Sequence, residues 1–236
     1  MKLDHKRTVL VGLAFLSICA FWQMYDSVVP LILTKTFHMN ETFSGAIMAA
    51  DNILALFLLP FFGSLSDRSH SKIGKRMPFI LFGTGCAVIL MNILPLLDNS
   101  YAAQPSGLKT ASFVIVLGLL LVTMGTYRSP AVALMPDVTP KPLRSRANAI
   151  INLMGAVGGI LYLGVAAVLY PNSKTAGLDH VNYQPLFIVV SAIMFIAIAV
   201  LFLTVKEPKL TAENQALEKQ HPEWNLAQDD GLSLIH

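Results

Sequence analysis

Six apolar stretches, each about as long as a bilayer is thick, constrain this chain more than any other feature. They run Thr8–Thr34, Glu41–Leu65, Met77–Leu97, Ala111–Met135, Ala147–Tyr170 and Pro185–Val205. A hydrocarbon core about 30 Å thick takes roughly 20 apolar residues in a helix. Charged residues are 13% of the chain and hydrophobic ones 54%, whereas soluble domains carry about 25% charged residues. A soluble fold with these runs would lack a water-facing surface. The expected fold class is therefore all-α: a polytopic membrane protein with six transmembrane helices.

The basic residues orient these helices. Segments alternating to one side hold Lys2, Lys6, Arg7; Arg68, Lys72, Lys75, Arg76; Lys141, Arg144, Arg146; and Lys206, Lys209, Lys219. The other side holds only Lys35, Lys109 and Lys174, and Arg128 falls inside a span. By the positive-inside rule the first side is cytoplasmic, with both termini there, in a multi-pass protein of the cell membrane. The net charge of +3 then reports topology, and no nucleic-acid partner is expected. Neither Cys19 nor Cys86 lies in an outer loop, so no structural disulfide is expected. The first apolar run is too long for a signal-peptide core and more spans follow, so it reads as a retained helix.

Residues 1–205 read as the six-helix bundle and 206–236 as a polar cytoplasmic tail or linker. The tail is rich in Lys, Glu, Gln and His and buries little apolar surface, which predicts a mobile segment with at most a short amphipathic helix. Gly231–His236 resume an apolar pattern and stop, as the start of something missing or a non-native sequence would.

A weak internal repeat is visible. Span two ends P-F-F-G-S-L-S-D-R, span four ends R-S-P-A-V-A-L-M-P-D, and each precedes a basic loop. Two such three-helix units form a transporter half built from inverted repeats. The loop G-S-L-S-D-R-S-H-S-K-I-G-K-R-M-P-F resembles the signature loop of the major facilitator superfamily, with Gly63, Asp67, Arg68, Gly74, Lys75 and Arg76 at matching positions. Its longer spacing and the M-P-F that follows resemble the branch of sucrose/proton symporters and glycoside–pentoside–hexuronide:cation symporters. The segment Y-R-S-P-A-V-A-L-M-P-D-V-T-P-K-P-L-R-S-R-A-N resembles the sucrose/proton branch in particular, because of Arg128. The likeness extends over Thr8–Pro208.

The physics of the first motif stands beside the resemblance. Asp67 at the mouth of span two can meet Arg68, Lys75 or Arg76 across a tight turn. Gly63 lets a neighbouring helix approach closely and Gly74 permits a sharp bend. The resemblance implies a cytoplasmic latch, whose aspartate also faces the amino end of a helix in a second half; plain anchoring of helix ends is the alternative. Asp137, Arg144 and Arg146 are expected to play the matching part in the second repeat.

Ionisable residues inside a span are costly, about 2.5–3.5 kcal/mol for a central Asp or Arg on insertion scales, so function is the default expectation. Asp51 lies roughly 15 Å into span two, and Arg128 roughly 10 Å from the inner end of span four. Asp26 is in the outer half of span one. An ion pair of Arg128 with Asp51 or Asp26 is expected, either as a coupling site or as a static packing pair. Trp22 and Asp26 share a helix face, with Gln23 beside them, and Asn52 adjoins Asp51. An aromatic face among amide and carboxylate groups suits a sugar; Trp22 reads equally well as an interfacial anchor. In span five Asn148, Asn152, Gly155 and Gly159 form a small, polar stripe that predicts close helix packing. Span six, apolar nearly all round, is expected to face lipid. Pro30, Pro60 and Pro130 are expected to bend spans one, two and four.

These readings converge on the amino-terminal half of a secondary transporter working by alternating access. The resemblance implies sugar, sucrose above all, with a coupling proton, and as further partners the bilayer and a missing carboxy-terminal six-helix half. A sodium-coupled glycoside or hexuronide symporter is one rival, with Asp51 as a sodium ligand. A non-transporting six-helix scaffold is another. No nucleophile–base grouping or metal-ligand spacing stands out, so no enzyme, metal or cofactor is expected.

Overall fold

The computed structural model describes residues 3–178 and 180–224. Gly231–His236 lie outside the described residues. Six helices are long and apolar enough to cross a membrane, and the described residues are otherwise turns and short helices. Helix α1 (His5–Leu31) continues as a π-helical segment, Ile32–Thr36. Next come α2 (Glu41–Asp67), α3 (Met77–Ala103) and α4 (Gly107–Val138). A 3-10 turn, Lys141–Leu143, leads into α5 (Arg144–Leu169), and α6 (Asn172–Thr175) is a single turn. The sixth span is α7 (Gln184–Thr204), followed by α8 (Glu207–Gln220).

Local signals account for several ends. Asp4 caps α1, its carboxylate accepting from the Arg7 N–H at 3.0 Å, and Asn40 caps α2 through the Thr42 N–H at 2.8 Å. Pro30 lies inside α1, and immediately beyond it the helix widens to the π pattern, where the Phe37 N–H donates to the Ile32 carbonyl at 3.1 Å. Helix α3 runs on to Ala103, past the expected end at Leu97, because Asp98 and Leu94 turn inward and are buried. The Lys109 ammonium then closes the C-terminus of α3 through the Ser100 and Gln104 carbonyls, at 2.8 and 2.9 Å.

The core forms around α1, which packs mainly on α5 and α7, while α3 packs on α4 and α7. Its central side chains are Phe21, Tyr25, Tyr127, Phe113 and Phe187, all buried. The α1–α5 approach depends on small residues, but of the stripe expected from spacing Gly155 is the member that is buried there. The buried row of α5 is Ala147, Ile151, Gly155, Gly158 and Tyr162; Asn148 and Asn152 are exposed. A Cβ on Gly158 would fall on the Leu16 backbone, one on Gly155 would meet Cys19 Sγ at 2.9 Å, and one on Gly159 would find nothing nearer than Gln23 Oε1 at 3.8 Å.

The sixth span also differs from expectation. Helix α7 buries Leu186, Phe187, Val190, Met194 and Leu201 against α1 and α3, and its Ser191 accepts from the Asn92 amide at 2.9 Å. The least buried span is α2, which encloses only Ser44 and Ser66 and presents Ile53, Leu56, Phe57 and Phe61 outward. Apolar exteriors of this kind match a hydrocarbon solvent.

At the end opposite the basic loops, His180 bridges the tips of α1 and α3. Its ring nitrogens lie 3.2 Å from Thr36 Oγ1 and 2.9 Å from Asn99 Oδ1. The Asn99 amide donates to Asn182 Oδ1 at 2.9 Å, and the Tyr170 hydroxyl donates to the Asn182 carbonyl at 2.7 Å. The connection between α5 and α7 is thereby tied down across the bundle.

Candidate functional site

Two groupings of charge emerge, one inside the bundle and one at its basic end. Inside the bundle, the position of Arg128 is set by its neighbours in α4. The buried Tyr127 hydroxyl donates to the Ala14 carbonyl at 2.9 Å and also pairs with the Ser17 hydroxyl, fixing α4 to α1. On the other side the Ser129 hydroxyl donates to the Leu59 carbonyl at 2.8 Å, fixing α4 to α2. Gly63 admits this contact, since a Cβ there would lie 3.0 Å from Ser129 Oγ. Arg128 is thus held between α1 and α2.

Its guanidinium carbon stands 5.5 Å from the centroid of the Trp22 ring, within cation–π range. The indole is itself fixed by edge-on packing against Phe21 and Tyr25, with centroids 5.2 and 5.3 Å away. The expected ion pair with Asp51 or Asp26 is not formed: among the described residues Arg128 has no carboxylate partner. A planar guanidinium stacks on a fixed aromatic face at little entropic cost, and that contact has replaced the pair. Asp51 instead accepts from the side-chain amide of the exposed Asn52 at 3.0 Å. Even so, Trp22, Asp51 and Arg128 line one narrow recess between α1, α2 and α4, walled by Leu54, Leu58 and Gly125. Asp26 is exposed on α1 and Gln23 half-buried; neither side chain joins this recess.

The second grouping gathers both basic loops. Arg76, 5% exposed at its side chain, donates from Nε to Asp137 Oδ2 at 2.9 Å and pairs through Nη2 with Asp67. Its remaining nitrogen meets Ser66 Oγ and the Gly63 carbonyl, the latter at 3.3 Å. Lys75 adds a second cation, 3.1 Å from Asp137 and 3.8 Å from Asp67. The two repeats therefore share one cluster. Arg144 serves otherwise: it donates to the Thr139 and Pro136 carbonyls at 3.1 and 2.8 Å and pairs with Glu218 at 2.8 Å. Arg68 and Arg146 are exposed and, among the described residues, have no carboxylate partner. Neither therefore joins this ion cluster.

The tail contributes what sequence reasoning missed. Helix α8 is seated on this cluster, with Glu207 and Asn214 buried. Glu207 Oε1 accepts from the Lys75 and Arg76 N–H groups, both at 2.9 Å, and Oε2 from the Met77 N–H at 2.8 Å. Helix α3 has no side-chain cap of its own, so the Glu207 carboxylate supplies it, at the end where the helix dipole favours an anion. Gly74 makes the seat possible: its φ is +119°, and a Cβ there would overlap the Glu207 carboxylate. The Asn214 amide donates to the Asp137 carbonyl at 3.1 Å. Sequence signals could locate this helix, with Glu207 in its first turn and Pro208 at its start, but not its seat.

Burial pushes the Glu207 carboxyl above its ordinary value, outweighing the three N–H donors that lower it; the Asp137 charge adds to the rise. A carboxyl raised by docking binds its proton more tightly when docked. Its contribution is therefore full below the ordinary glutamate value of about 4.3 and declines as pH rises through the raised one. Spin labels at His70 and Gln215 should report a docked fraction of α8 that falls as pH climbs above that ordinary value. In Glu207→Gln the fall should be largely absent; an equal fall in that variant would assign it to other groups.

Comparison with known proteins follows the same lines. The family model of the Major Facilitator Superfamily matches residues 11–229. A sucrose transport protein of Arabidopsis thaliana is 34% identical over 145 residues, 56% of this chain and 24% of the relative. A sucrose transport protein of Oryza sativa subsp. indica is 33% identical over 141 residues, 54% and 28% of the two chains. Solute carrier family 45 member 3 of Homo sapiens is 26% identical over 185 residues, 77% and 33%. The matched segments thus span about a quarter to a third of these relatives' lengths.

Proposed function

From the premise that the chain belongs to the Major Facilitator Superfamily, we propose that it forms the amino-terminal six-helix half of a proton-coupled sugar symporter. Sucrose or a related glycoside is the substrate, a second six-helix half completes the cavity, and both termini are cytoplasmic. Residues 1–205 are the bundle and 206–236 the link to the second half. The names of relatives at 33–34% identity support the substrate class.

One observation carries the site assignment: Arg128, Trp22 and Asp51 line a single recess between three helices. The indole offers an apolar face to sugar C–H groups, and Arg128 offers donors to hydroxyls. Asp51 and Asp26 supply carboxylates that can hold the coupling proton, and Gln23 and Asn52 add amide contacts as the cavity fills. With Arg128 parked on Trp22, sugar can draw the guanidinium towards Asp51, so that sugar and proton occupancy become linked. The Arg76–Asp67–Asp137 cluster with Lys75 closes the cytoplasmic side and parts when that side opens.

The test is uptake of labelled sucrose by vesicles bearing the complete gene product, with imposed gradients. An inward proton gradient should drive accumulation and a protonophore should abolish it. Hydrogen bonds to charged groups are worth about 1.5–3 kcal/mol, so Arg128→Ala should lower uptake per molecule by roughly tenfold or more at unchanged abundance. Uptake that follows sodium and ignores the protonophore would favour the sodium-coupled glycoside or hexuronide reading. Variants that change abundance alone would favour a scaffold.

A further inference from the structure

We propose that the recess between the α2–α3 loop, the end of α7 and the start of α8 binds the headgroup of an anionic phospholipid. The recess has a volume of about 360 Å³ and is lined by Lys72, Lys206 and Lys209 together with Ile73, Phe202 and Pro208. Among the described residues no acidic side chain lines it.

The charge there is not used by the fold. Lys75, Arg76 and Arg144 at the same end of the bundle are all paired with carboxylates. Lys72 and Lys206 have no carboxylate partner among the described residues, and Lys209 has only Glu213, at 3.8 Å on an exposed helix face. Three cations around one depression repel one another unless an anion joins them. The first turn of α8 adds the positive end of its dipole, because Glu207 points away to the α3 amides.

The walls decide what kind of anion this is. Ile73 and Phe202 remain 40% and 38% exposed beside the lysines. Phe202 lies in the last turns of a membrane span, so the apolar wall continues into the hydrocarbon region. A free phosphate gains nothing from such a wall, whereas a lipid places its phosphate among the ammonium groups and its acyl chains along Phe202. Basic pockets at helix ends recognise anionic lipids in this way. The cavity on the other flank of Lys206 and Lys209 is lined also by Lys6 and Arg7, but it holds Asp4 and Glu213, so two of its four cations are offset within the protein. A lipid in the proposed recess joins the α2–α3 loop to α8, the two elements that Glu207 already connects.

Native mass spectrometry of the chain, released from micelles doped with phosphatidylglycerol or phosphatidylcholine of matched acyl chains, tests this. Phosphatidylglycerol should be retained in preference. Replacing Lys72, Lys206 and Lys209 with Gln should weaken its binding about fivefold per lysine removed, and the corresponding Arg variant should retain it. Excess inorganic phosphate should leave bound phosphatidylglycerol in place. In the wild-type chain, acylation of these three lysines should slow several-fold on adding phosphatidylglycerol, with Lys219 unaffected, a reading independent of how the variants fold. Equal retention of the two lipids, undiminished binding by the Gln variant, displacement by phosphate, or absence of lysine protection would each overturn the proposal.

Discussion

Arg76→Ala is expected to destabilise the bundle by about 3 kcal/mol, the lower part of the range for removing one partner of a buried ion pair. The side chain is nearly inaccessible and makes contacts with Asp67, Asp137, Ser66 and the Gly63 carbonyl. Alanine leaves Asp137, 20% exposed, with Lys75 as its remaining ion-pair partner in this cluster. Asp67 contributes less to the loss, because at 56% exposure its charge is screened by water. Arg76→Lys restores the charge without the planar fork and should recover only part of the loss. Thermal unfolding in detergent, with Arg68→Ala as the comparison, checks this. Arg68 is exposed and has no carboxylate partner among the described residues, so its removal should be nearly silent. Equal effects of the two alanines would mean that the cluster does not hold the basic end together.

Gly158→Ala is expected to have an effect of similar size for a different reason. The added Cβ would overlap the Leu16 carbonyl, with its carbon at 2.9 Å and the Leu16 Cα at 3.0 Å. Those are backbone atoms of α1 and can yield only if α1 and α5 separate, along the bundle's most extensive interface. Overpacking a filled core costs about 1–3 kcal/mol, and a rigid obstacle puts this site at the upper end. Gly155→Ala meets the Cys19 sulfur at 2.9 Å, a side-chain atom that can rotate aside, so it should cost less. Gly159→Ala meets Gln23 Oε1 at 3.8 Å, an ordinary van der Waals contact without overlap, and should be neutral, or stabilising by up to about 1 kcal/mol through helix propensity. The order 158, 155, 159 in unfolding midpoints is the check; a larger loss at Gly159 than at Gly158 would contradict this packing.

These two sites mark what was legible. Glycines at close helix spacing announced a tight interface in α5, but spacing by three and four leaves the face ambiguous. The row through Gly158 proved to be the buried one, and Asn148 and Asn152 turned away from it. Arg76 was legible because the loop motif binds several roles to one short segment. Glu207, which seats on that same loop, carried no mark of its partner across more than 130 residues. Arg128 stood out by its cost inside a span, yet the aromatic ring that took the place of a carboxylate depended on how α1 and α4 are rotated. That rotation is fixed by Tyr127 against Ala14.

The solvent, the number of spans, the end of the bundle that is basic and the positions of the costly charges all follow from the order of residues along the chain. Each of these sums transfer free energies over consecutive residues, so neighbours in the chain suffice. Packing between helices settles the rest: α2 presents an apolar face outward, the two repeats share one ion cluster and the tail caps α3. Those outcomes turn on helix rotation and register, where a shift of one residue moves a side chain by about 100° around the axis. No local pattern determines such a choice, because the free energy that selects it comes from contacts between segments far apart in the chain.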